Sequence, residues 1–137
     1  MTENISITGI DIENVGRPSG DGTPGSGLYS VPIQLSRAPS AREAEMLVHF
    51  WNHPSSYTTM HRPGIARVEG SRLILDGTTI EEVRDVHIAT IKLAVAATNA
   101  EYARETEAEV RRHAAETASH SAHDIKVRKV ASEIRFE

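Results

Sequence analysis

From Ile80 onward the chain runs without a glycine or a proline. Nothing in this stretch interrupts a backbone that follows a helix-start signal. That signal is Thr78 or Thr79 with Glu81 or Glu82 three residues on, a pairing in which a hydroxyl and a carboxylate can each satisfy a backbone N–H of the first turn. The pattern predicts a long helix beginning at Ile80 and reaching about Ser119. We expect an α+β domain over residues 1–98 and a charged helical extension with a docking tail over 99–137.

Before that helix, apolar residues alternate as in strands. Ile5, Ile7, Ile10 and Ile12 change parity at Thr8-Gly9, so residues 4–15 are expected to form a strand with a glycine bulge. The segment 16–27 combines glycine, proline, serine and aspartate with no apolar anchor and is expected to be a mobile loop. Its glycines do not lead into a helix and lack the Gly-Lys-Ser/Thr ending of a phosphate cradle. From Leu28 to Ser36, Tyr29, Val31, Ile33 and Leu35 share one face, and Pro32, lacking an N–H, predicts an edge position. Ser40 with Glu43 then forms a capping box ahead of Ala44, Leu47, Val48 and Trp51, which are spaced as one face of a helix ending before Pro54. In residues 65–77, Gly70-Ser71 fits a two-residue type II′ turn that places Glu69 opposite Arg72, and Ala66 and Val68 opposite Leu75 and Leu73. The order strand-strand-helix-strand-strand-helix implies an antiparallel four-stranded sheet with helices on one face and a long C-terminal helix.

Composition narrows the function. The absence of cysteine excludes disulfides, thiolate metal sites and cysteine nucleophiles. A net charge of −4 lacks the basic footprint of non-specific nucleic-acid binding, so nucleic acid is an unlikely partner. The apolar stretch Val86–Ala97 is too short to cross a bilayer and carries Lys92, so no membrane association is expected. The N-terminal MTENISI lacks a basic run followed by an apolar stretch, which makes the cytoplasm the expected compartment.

That same stretch is apolar nearly all round, whereas a surface helix needs only a stripe. Either the rest of the monomer covers it or a second subunit does. Val86, Ile91, Leu93 and Val95, with Tyr102 and Val110 farther along, are the candidate interface residues. Beyond Asn99 the helix is rich in Ala, Glu and Arg, with i, i+4 pairs such as Glu107–Arg111, but it lacks the sustained apolar positions of a leucine zipper. In the last segment Val127, Val130, Ala131 and Ile134 fit a helix, whereas Ile125 with Val127, and Ile134 with Phe136, fit strands.

The chemistry-bearing candidate is the loop 52–64, which holds hydroxyls, two imidazoles and a guanidinium but no acid. His53, Tyr57, His61 and Arg62 are the residue types that hold a phosphate or carboxylate, with Arg62 bidentate and a histidine able to move a proton near neutral pH. Polar connectors contain the same residues for solvation alone. His113, His120 and His123 have no metal-binding spacing, so no metal and no cofactor is expected. His87, among apolar neighbours, reads as a satisfied core histidine. With no nucleophile elbow, the chain leans away from enzyme. Two functions follow. The first is a small oligomeric protein-binding or assembly subunit that uses the second helix and tail to engage itself or a protein partner. The alternative is a small enzyme or anionic-ligand-binding protein organised around loop 52–64.

Overall fold

The computed structural model describes residues 3–135; Phe136, one of the tail's expected strand residues, lies outside them. Four antiparallel strands, β1 (Ile7–Ile10), β2 (Tyr29–Leu35), β3 (Ala66–Glu69) and β4 (Arg72–Thr78), form one sheet in the order β1-β2-β4-β3. Helix α1 (Ala41–Asn52) lies between β2 and β3. After β4 come a helical turn, α2 (Ile80–Glu82), a π-helical turn (Val83–His87) and α3 (Ile88–Glu133). This is the expected α+β architecture with its long C-terminal helix.

Local chemistry explains most of these elements. Ser40 Oγ accepts the Glu43 N–H, and the Glu43 carboxylate accepts the Ser40 N–H at 2.9 Å, completing the capping box of α1. Glu43 is buried, so its charge needs more than a backbone amide. Arg37 supplies it with two parallel bonds of 2.8 and 2.6 Å, which hold the carboxyl below its usual pKa range. At the β3–β4 turn Gly70 has φ +57° and Ser71 is not left-handed, as a type II′ turn requires. The register pairs Glu69 with Arg72, Val68 with Leu73 and Ala66 with Leu75.

The first strand is shorter than expected, and Pro32 lies in an interior strand, between β1 and β4. One geometric fact explains both. Ile10 pairs with Ile33, which places Asp11 opposite Pro32. The Asp11 N–H donates to the Pro32 carbonyl at 3.0 Å, but the return bond has no donor. The ladder therefore stops at Ile10, and the chain turns through a 3₁₀ segment at Ile12–Asn14. Glycine relieves the other end of β1, where the register shifts between Ile7 and Gly9 as the bulge reading expected.

One sheet face carries Val31, Ile33, Leu35, Leu73 and Leu75, all buried. Against it pack Leu47 and Trp51 of α1, Val83 of the π turn, and Ile91 and Val95 of α3. Asn99 ties the N-terminal segment to this body. Its side-chain amide donates to the Ile5 carbonyl at 2.8 Å and accepts the Ile5 N–H at 2.9 Å, as a sheet neighbour would. On the opposite sheet face Ile74 is flanked by Pro32 and Arg67 and is also buried.

The chain divides into two compact units, Met1–Tyr102 and Ala103–Glu137. In the second unit the described residues from Thr106 on are all exposed, and the helix continues to Glu133, past the expected end near Ser119 and through most of the ambiguous tail.

Candidate functional site

Glu82 gathers the polar residues of the first unit. The Thr79 hydroxyl caps this helix by accepting the Glu82 N–H at 3.1 Å. The Glu82 side chain does not complete a capping box. Its carboxylate instead takes a bidentate pair from Arg62 (Nη2–Oε1 2.8 Å, Nε–Oε2 3.1 Å) and a bond from the Thr78 hydroxyl at 2.9 Å. The Arg62 guanidinium holds the Glu82 carboxyl below its ordinary pKa, and Glu82 raises that of Arg62.

The π turn brings in a histidine. Glu82 and His87 are five residues apart, a spacing that at 100° per residue of α-helix separates side chains by about 140°. The Ile88 N–H bonds back to the Val83 carbonyl, five residues earlier, and this wider turn swings His87 round to the Glu82 side. His87 Nε2 lies 3.4 Å from Glu82 Oε2, longer than a well-formed hydrogen bond. The ring is fully buried, and neither nitrogen has a hydrogen-bond partner among the described residues. His87 is thus a core histidine, but not a satisfied one.

Trp51 joins the two sides of the cluster. Its indole N–H donates to the Arg62 carbonyl at 2.9 Å, and its ring lies 4.8 Å from His61 and 5.3 Å, edge-on, from His87. The His61 nitrogens are likewise buried without a partner. Burial lowers the pKa of both histidines, so each favours the neutral form.

Of the loop candidates, the structure brings together His61, Arg62 and Tyr57, whose ring is 5.3 Å from that of His61. The Tyr57 hydroxyl donates to the Asn52 carbonyl. His53 is exposed and stacks against His49 at 4.9 Å. The loop's lack of an acid is made good from outside by Glu82, twenty positions on, so the Arg62 fork is occupied rather than open to an anion. Glu82, Thr78 and His87 are the members that sequence reasoning missed as site residues. The Glu82 signal was visible as a helix-start acid, but its partner was not. Among the described residues no group of three His, Asp or Glu side chains is placed to hold a metal ion.

The interface candidates separate by burial. Ile91 and Val95 belong to the core of the first unit, and Val86 and Tyr102 are half-buried. Burial recurs at Val83, His87, Thr90, Ile91, Ala94, Val95 and Thr98, a single inward face, so the sheet takes up most of the apolar surface that seemed to need a partner. Leu93 stays 50% exposed beside a groove of about 490 Å³ that Phe50, His53 and Ala97 also line. Val110 is 63% exposed. No helix among the described residues is long and apolar enough to cross a membrane.

No protein-family model matches the sequence, and no curated protein and no solved structure matches the chain.

Proposed function

We propose that the protein is a small assembly subunit that binds protein through the helix beyond Tyr102 and its tail, and associates with itself. One observation carries this reading. Within the second unit Val110, Ile125, Val127 and Val130 of α3, and Ile134 just past its end, keep about half or more of their surface exposed, and no described residue of this unit is buried. Single helices owe most of their stability to packing of an apolar face, and exposed apolar side chains such as Val110 and Ile125, which share one face of the helix, are what a partner would cover. The closed Arg62–Glu82 pair weighs against the alternative of an anionic-ligand site in loop 52–64, because an incoming anion would have to displace a bidentate carboxylate.

Light scattering of the full chain over a concentration series tests the reading. A mass that rises with concentration is expected, and a Val110→Glu, Ile125→Glu double substitution should lower the associated fraction. A chain that stays monomeric at every concentration would defeat it.

A further inference from the structure

Resting on that assembly reading, we infer that the partner of the second-unit helix is the same helix of a second copy, running antiparallel, with a two-fold axis between Thr117 and Ala118. The inference comes from how one face of α3 is composed. At 100° per residue, Glu107, Val110, Ala114, Thr117 and the residues that mirror them about this axis lie within about 50° of one line along the helix.

The axis pairs each residue with the one equally far on its other side. Val110 then meets Ile125, the two most exposed large apolar side chains among the described residues of this unit, at 63% and 68%. Glu107 meets Arg128, and the symmetry makes this ion pair twice, once toward each end of the contact. The centre pairs Ala114 with Ser121, and Thr117 with Ala118, residues small enough for two backbones to approach closely. All of these residues are exposed within the chain.

Charge also fixes the direction. Glu107 and Glu109 lie in a stretch without cations, while Lys126, Arg128 and Lys129 form one without acids. A parallel pair would stack acid on acid and base on base, which is unfavourable. An antiparallel pair sets the acidic block against the basic one and brings Glu107 beside Arg128. The Glu107–Arg111 contact within one helix, at 3.7 Å and largely exposed to solvent, is too weak to compete with a pair held at a packed seam.

The chain has no cysteine, so introduced thiols report the geometry cleanly. Full-length Val110→Cys and Ile125→Cys chains, mixed and mildly oxidised, are expected to form the mixed disulfide, while neither alone crosslinks efficiently. Glu107→Arg should raise the concentration at which half the chain associates by about tenfold or more, and Arg128→Glu likewise. The chain carrying both substitutions should associate like the original. Self-crosslinking of Val110→Cys alone, or no response to either charge reversal in a chain that still associates, overturns the antiparallel pairing and leaves the assembly reading standing. A chain monomeric at every concentration overturns both.

Discussion

Glu82 is where the reach of a single side chain is most visible. As the third residue of a helix it would ordinarily return a bond to its own cap, as Glu43 does to Ser40. It turns instead to Arg62 and Thr78, and thereby pins loop 52–64 to the start of the long helix. The neighbouring histidines make this corner sensitive to pH. Burial lowers the His61 and His87 pKa values in the folded chain, with Arg62 adding to the effect at His87 against the opposing pull of Glu82. The unfolded chain therefore binds more protons, at a histidine pKa of about 6.5, and stability rises with pH in that range. The contribution is complete above about pH 6.5 and is lost as pH falls through that value toward the folded pKa values. Urea unfolding at pH 8, 7, 6 and 5 should show a decline starting near 6.5, well above the carboxylate range in which Glu43 and Glu82 titrate. His87→Phe should flatten it. An unchanged slope in that variant would assign the decline elsewhere.

Among the elements, α1 and the β3–β4 hairpin were readable because each is specified by residues that touch one another along the chain. Ser40→Ala removes the hydroxyl that caps Glu43 and should cost about 0.5–2 kcal/mol. Gly70→Ala forces a side chain into a left-handed backbone and should cost about 1–2 kcal/mol. Chemical denaturation of each variant against the original chain checks both, and near-zero changes would mean that these ends are held by tertiary packing instead. The shortening of β1 was not readable, because the missing N–H belongs to Pro32, in another strand. The π turn was equally hidden, since Val83–His87 has the composition of an ordinary amphipathic helix.

For the whole molecule, the division after Tyr102 has an energetic meaning. Every buried described residue lies at or before Thr98, and Asn99 holds Ile5. A chain ending at Tyr102 should therefore unfold cooperatively with the core intact, by circular dichroism and denaturant titration, while losing the association proposed for the full chain. Loss of cooperative unfolding would instead make the second unit part of the folding core.

The sequence by itself determined what depends on near neighbours: both helix starts, the hairpin register, the bulge at Gly9 and a helical run after Thr79 with no breaking residue. These features rest on hydrogen bonds and turns that close within a few residues, so residue order suffices to state them. Only the tertiary structure decided which strand lies inside the sheet, that Ile91 and Val95 are buried in the core, and that Arg62 is held by an acid from another element. Each of these depends on which distant group arrives to bury a side chain or answer its charge, and that is set by the packing of the whole chain.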